Sequence, residues 1–337
     1  MNLRGPMEKQ TLVSRRTMLR ESALASVAMA GGWSMGMRLN AQNITSALPR
    51  ASAALVSEYM KDFSVPGFQL AYLRGARVLY TGYFGEANRA EDQPVKPDSL
   101  FRIASDSKAF TSAAIFLLVE AGKLQLQDRV FAPDGVLRQF SGLGPHREWI
   151  HAITVHELLT HTCGGWSNER NDPMFERPGL NHEQLIAWTL KTHPLQNPPG
   201  EKYAYSNFGY CVLGRVIEQV SGERYPQFVR QQVMQRAGIH DMRIATRQPA
   251  PNEVHYYGQS GENPYGFNIS RMDSHGGWIS TATDMARFLA CLFSPTDDEG
   301  APPILKPDSL RIMTTGTTAN PDYACGLAVN HAGNAWH

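Results

Sequence analysis

Apolar residues recur along this chain in two rhythms. Over residues 53–63 they fall three and four apart, the spacing of one helix face, and the run stops short of Pro66. Residues 67–73 and 77–84 instead alternate apolar and polar, and Arg74-Gly75-Ala76 between them predicts a β-hairpin. A longer apolar stretch over 105–121, ended by Gly122, predicts a helix. Residues 124–270 carry a helical pattern with long Pro/Gly-rich connections, and helices are predicted at 154–161, 182–192, 207–220 and 225–237. Thr281-Ala282-Thr283-Asp284 has the form of a capping box opening a helix to about Phe293. Residues 323–329 read as a strand, 330–334 as a turn and 335–337 as the start of another strand. Strands at both ends with helices between predict an α+β fold. Its antiparallel sheet would be built from distant segments and flanked by helices, with a mostly helical subdomain inserted at about 124–270 and a site between the two.

Composition narrows the class without naming a chemistry. A chain of 337 residues with 42% hydrophobic and 19% charged positions suits one large globular domain or two intimately packed ones. The formal net charge is +1 and the basic residues are scattered rather than striped, so the footprint that nucleic-acid binding requires is missing. Cys163, Cys211, Cys291 and Cys325 are widely spaced with no CxxC or Cys/His ligand pattern, and read as buried small apolar residues; the sequence chooses no disulfide pairing. No internal repeat or low-complexity linker interrupts the chain.

The N-terminal stretch changes the expected location. Ser14-Arg15-Arg16-Thr17-Met18-Leu19-Arg20 matches a twin-arginine export signal and precedes an Ala-rich apolar run over 23–30. That run falls short of the roughly 20 apolar residues a membrane span needs. Residues 1–41 are therefore expected to be a removable signal, with cleavage at Ala41 preferred to Ala30. The domain would then be 42–337, periplasmic or extracellular, with no stable membrane span.

Two motifs carry the candidate chemistry. Ser105-Asp106-Ser107-Lys108 opens the helix predicted from 105, and Tyr205-Ser206-Asn207 stands directly before the one predicted from 207. A serine hydroxyl is a poor nucleophile at neutral pH. A lysine three residues on in a helix projects from the same face and can serve as its base once burial lowers its pKa. A serine at a helix start also meets free backbone N–H groups and the positive end of the helix dipole. A tyrosine from elsewhere can relay protons. Ser107, the nearest rival nucleophile, has no lysine three residues after it.

These motifs lie within longer segments, FRIASDSKAFTSAAIFLLVEAGKL, ITVHELLTHTCGG, NPPGEKYAYSNFGYCVLGRVIEQVSG and GGWISTATDMARFL. Together, from about Val56 to the last residue and in the same order, they resemble the serine beta-lactamase-like family, which includes class C beta-lactamases, DD-peptidases, D-aminopeptidases and related esterases. The resemblance implies a beta-lactamase/transpeptidase-like fold and a serine hydrolase working through a covalent acyl-serine. In that reading Ser105 is the nucleophile, Lys108 the activating amine and Tyr205 the proton relay. Asn207 would direct its side-chain amide toward Lys108 or a substrate carbonyl. No cofactor or metal is implied. Substrate would be a small ester, a D-amino-acid peptide or amide, or a beta-lactam, and the oligomeric state stays open.

Family members carry a third motif, HxG or KxG, on a strand lining the site. Ala335-Trp336-His337 resembles the approach to it, and His337 is preferred to His331, which falls in the predicted turn. On that alignment the motif's glycine, a second oxyanion donor, closing strands and a C-terminal helix are expected beyond residue 337. Loss of one oxyanion donor can reduce a rate by about 10²- to 10³-fold. A non-catalytic binding protein for peptidoglycan-like ligands, or an inactive homologue, is the competing expectation.

Two further motifs are set aside. In HELLTH, His156 and His161 stand five apart, about 140° around a helix, whereas a zinc-protease helix needs them at i and i+4, where Thr160 stands. Gly32-Trp33-Ser34-Met35-Gly36 satisfies GxSxG but lies in the expected signal, without the strand and helix of a nucleophile elbow.

Overall fold

The computed structural model describes residues 41–169, 171–294 and 301–337. The expected signal peptide and Gly32–Gly36 lie outside the described residues. Contacts divide the chain at Pro49, and apart from the first turns of the first helix the features below lie in the unit from Arg50 to His337. The first helix, α1 (Ala41–Asp62), begins well before the expected residue 53 and contains Pro49. The apolar spacing registers only from residue 53, whereas the helix continues back through a proline that supplies no N–H to its ladder.

The hairpin of β1 (Gly67–Arg74) and β2 (Arg77–Asn88) forms as expected, and β3 (Gln93–Pro94) adds to its edge. Next come β4 (Phe101–Arg102) and α2 (Ser107–Glu120). α2 starts two residues later than the pattern predicts. Ala104 takes a left-handed φ of 44°, and residues Ala104–Asp106 form a 3₁₀ turn, so Ser105 sits just outside the α-helix. Every residue from Ser107 to Leu118 is buried, including Lys108. A helix buried on all sides is the central post of a core rather than its wall.

The helical stretch contains α3 (Arg147–Ala152), α4 (Val155–Leu159), α5 (His182–Thr192), α6 (Asn207–Ser221) and α7 (Tyr225–Val229). Their ends obey local chemistry. Thr154 and Glu157 form a complete capping box on α4, as do Asn181 and Gln184 on α5, and Gly222 closes α6 at φ 76°. The helix expected over 225–237 is three pieces: α7, a π-turn over Arg230–Met234, and a 3₁₀ turn ending at Gly238.

The chain continues through β5 (Arg243–Ile244), β6 (Trp278–Ser280), α8 (Ala282–Phe293) and α9 (Pro307–Met313) to β7 (Ala328–Val329) and β8 (Ala335–Trp336). Thr281 caps α8 by accepting from the Asp284 N–H. The strand predicted over 323–329 shrinks to two residues. Ala324 N–H bonds back to the Leu327 carbonyl across Gly326, whose φ is 76°.

Among the described residues the strands make three separate sheets, β1-β2-β3, β4-β6-β5 and β7-β8. Distant segments do meet in β4-β6-β5, but the C-terminal hairpin joins neither of the other two sheets and bridges only to nearby Tyr323, which departs from the single sheet expected. α8 packs on β1, where the Ala282 N–H donates to Gln69 Oε1 at 2.9 Å, and reaches α2 through Phe288, which stacks on Phe110 with centroids 3.8 Å apart. α6 packs along α2.

Candidate active site

Ser105 is gripped from both sides. Ahead of it, the Ile103 N–H donates to the Trp278 carbonyl, fixing the end of β4 against β6. Behind it, the first turn of α2 brings Lys108 Nζ to 3.1 Å from Ser105 Oγ. The spacing of three that marked the motif therefore operates across the junction of a 3₁₀ turn and an α-helix.

Lys108 is fully buried, and its Nζ has two other partners, Asn207 Oδ1 at 2.9 Å and the His275 carbonyl at 3.0 Å. The rings of Tyr205 and Tyr210 lie against it, with centroids 4.7 and 5.6 Å away. Burial pulls its pKa down to about 7, although Asp172 and Asp106 pull the other way. Both outer partners can only accept hydrogen bonds. A neutral amine has two hydrogens for them, and its lone pair is left facing the Ser105 hydroxyl, which is the arrangement a base needs. Asp106 is itself pushed up to about 6 by burial, with Lys108 opposing.

Asn207, the first residue of α6, differs from the expected orientation. Its oxygen faces Lys108 while its amide donates to Asp172 Oδ2 at 2.7 Å. An ammonium or amine that is donating requires the oxygen on that side.

Tyr205 OH lies 3.1 Å from His337 Nε2, and His337 Nδ1 lies 3.0 Å from the Gly326 carbonyl. The carbonyl can only accept, so Nδ1 carries the proton and Nε2 accepts from the tyrosine. Although the residue is partly open to solvent, desolvation of the ring by its neighbours and then Lys108 hold the His337 pKa down at about 4, which keeps the ring neutral. His331 lies exposed in the turn before β8, away from these contacts.

The second histidine of HELLTH braces this assembly. Buried His161 accepts from the Ser206 N–H through Nδ1 at 3.0 Å, so its Nε2 carries the proton toward Tyr323 OH at 3.2 Å. Its carbonyl also accepts from Ala204, and its ring packs on Tyr205, Tyr203 and Tyr210. Burial, reinforced by Lys108, drives its pKa well below the ordinary value. Its Nδ1 and its carbonyl are thus committed to holding residues 204–206, and its Nε2 to Tyr323. Among the described residues no group of three or more His, Cys, Asp or Glu side chains is placed to hold a metal ion.

The structure brings together Ser105, Lys108, Tyr205, Asn207 and His337 from three stretches of the chain. Sequence reasoning missed Asp172, the His275 carbonyl and the bracing role of His161. Gly276-Gly277 was the one visible sign of a close backbone approach after His275; a Cβ on Gly277 would sit 3.1 Å from Asp273. The four cysteines are buried and unpaired.

A family profile described as Beta-lactamase matches residues 53–337. A penicillin-binding protein of Bacillus subtilis is 33% identical over 190 residues, 54% of this chain and 39% of that protein. Esterase EstB of Burkholderia gladioli is 28% identical over 218 residues, 60% of this chain and 53% of the relative. The chain thus spans about half the length of these relatives or less. Among solved structures, the octameric penicillin-binding protein homologue from Pyrococcus abyssi superposes with a TM-score of 0.65 at 25% identity, covering 82% of this chain and 63% of that one. The profile spans the buried lysine, the tyrosine that faces it and the strands on either side, and on that match this chain belongs to the beta-lactamase family of serine hydrolases.

Proposed function

We propose that this chain is an exported serine hydrolase that forms a covalent acyl-serine on small esters, D-amino-acid peptides or amides, or beta-lactams. The observation that carries the reading is the buried Lys108 amine, whose two acceptor-only partners leave its third direction to Ser105 Oγ. Ser105 Oγ attacks the substrate carbonyl carbon while Lys108 takes the hydroxyl proton. The bond to the alcohol or amine then breaks, and the departing group takes a proton passed through Tyr205. The Ser105 backbone N–H, in the 3₁₀ turn that leads into α2, supplies an oxyanion donor. Water next attacks the acyl carbon, gives up a proton to the same relay, and releases the acid and Ser105. His337, neutral and held by Gly326, keeps Tyr205 in place and lines the substrate position. No cofactor enters this scheme. A penicillin-binding protein and an esterase among the relatives support the acyl-transfer class, and shared machinery leaves specificity to the pocket walls. The twin-arginine sequence supports export, and no helix among the described residues is long and apolar enough to cross a membrane.

The test is intact mass spectrometry of the folded chain after exposure to an activated ester and to a penicillin, with Ser105→Ala beside it. An adduct of acyl mass that disappears in S105A is the expected result, and its lifetime separates turnover from trapping. A folded chain that takes up no Ser105-dependent adduct from either reagent would overturn the reading in favour of a binding protein.

A further inference from the structure

Asp172 stands outside every motif, in the loop between α4 and α5, yet it is buried and hydrogen-bonded to the catalytic constellation. Its Oδ2 accepts from Asn207 Nδ2 at 2.7 Å and its Oδ1 from the Met174 N–H at 2.9 Å. Both oxygens are acceptors, the pattern of an ionised carboxylate. Asn207 therefore lies between a partner that donates, Lys108, and one that accepts, Asp172. An amide so placed has one satisfactory orientation, since turning it over would set N–H against N–H and oxygen against oxygen.

We propose that Asp172 is a positioning residue for acyl transfer, fixing the Asn207 oxygen on Lys108 and supplying, one side chain away, the negative charge that balances the ammonium formed when Ser105 loses its proton. The proposal rests on the serine-hydrolase reading above. The atoms balance: the Ser105 proton moves to Lys108 Nζ as the Oγ–acyl bond forms, and Asp172 and Asn207 exchange no proton. A buried cation without a counter-charge is costly, and here the charge is delivered through an intervening amide that also sets geometry. The other groups facing Lys108 are Asp106 on the preceding turn, His161, His275 and His337, with the rings of Tyr205 and Tyr210. The three histidines are held neutral by burial, so Asp106 and Asp172 are the carboxylates acting on the lysine. Burial, with Glu176 adding to it, raises the Asp172 pKa above the usual carboxylate value, and the hydrogen bonds from Asn207 and Met174 and the charge of Lys108 oppose that rise in favour of the ionised form.

Asp172→Asn removes the charge and leaves one oxygen for two donors, the Met174 N–H and Asn207 Nδ2. Asn207 then turns its amide hydrogens onto Lys108, where they occupy the lone pair. The assay is hydrolysis of a short-chain p-nitrophenyl ester by the full chain across pH 5 to 9, with circular dichroism to confirm folding. The expected result is a kcat at least about tenfold below wild type, a KM within about threefold, and an acid limb of kcat/KM moved down by about one pH unit. The double variant D172N/N207D satisfies every donor again and returns the charge next to Lys108, so its acid limb is expected above that of the wild type. A folded D172N with wild-type kcat and limb, or a double variant whose limb stays with D172N, would overturn the proposal. Failure of both variants to fold would also overturn it, placing Asp172 in the fold and not in the reaction. A wild type that shows no Ser105-dependent hydrolysis refutes the enzyme reading itself, an outcome visible before any Asp172 variant is made.

Discussion

Lys108→Met tests the buried amine directly. The lysine is fully buried, and burial has lowered its pKa from 10.5 to about 7. Between those two values the unfolded chain holds a proton on this residue that the native chain does not. Native stability therefore rises with pH through that window, and the penalty is fully developed below pH 7 and absent above 10.5. At 1.36 kcal/mol per pH unit the whole effect is about 5 kcal/mol. Methionine removes the penalty but leaves Asn207 Oδ1 and the His275 carbonyl without their donor, a loss of about 1–3 kcal/mol each. The net change at pH 7 is thus a small difference of large terms, while its pH dependence is not. Urea unfolding of wild type and K108M at pH 7.0, 7.75 and 8.5 should show the variant's relative stability falling by about 2 kcal/mol over that range. The four cysteine thiols begin to ionise in the unfolded chain over this range, but wild type and variant share them, so their contribution cancels in the difference. A stability difference that stays flat across the three pH values would refute the reasoning, because it would mean Lys108 is not held neutral in the native state. The same variant should form no acyl-serine.

Two further outcomes follow from the site. Wild-type kcat/KM for a neutral ester should fall on an acid limb with an apparent pKa near 7, since protonated Lys108 cannot take the serine proton; a limb near 4 would shift the base role to His337. Gly326→Ala should destabilise the fold by about 2–4 kcal/mol in urea titration and lower activity, because φ there is +76° and a Cβ would meet Ser112 Oγ at 2.7 Å and the Lys108 carbonyl at 3.0 Å. Wild-type stability in G326A would show that the turn does not sit against α2.

The sequence spoke clearly wherever the physics is local. Thr281 and Gly122 mark helix ends because a cap depends on a few consecutive residues. The spacing of Ser105 and Lys108 was legible because one turn of chain sets it. Asp172 was not, since its meaning comes from Asn207, 35 positions away in a different element. The His275 carbonyl could not be read at all: a main-chain oxygen is the same at every position, and only the path of the backbone makes it a ligand for Lys108. Paired segments of two residues, such as β5 and β7, are too short for alternation to register. The α-π-3₁₀ succession after Tyr225 likewise keeps helical spacing while changing the ladder beneath it.

The contacts that define the site join Lys108 to residues 99 and 167 positions later and Tyr205 to a residue 132 positions on. Closing loops of that length is slow compared with forming a capped helix. On the proposed mechanism Ser105 has no base until those contacts close, so in refolding, activity is expected to return with native tertiary structure and no earlier than secondary structure. The reactivity proposed for this molecule would belong to the finished fold, because it is long-range contacts that bury Lys108 and set its acceptors in place.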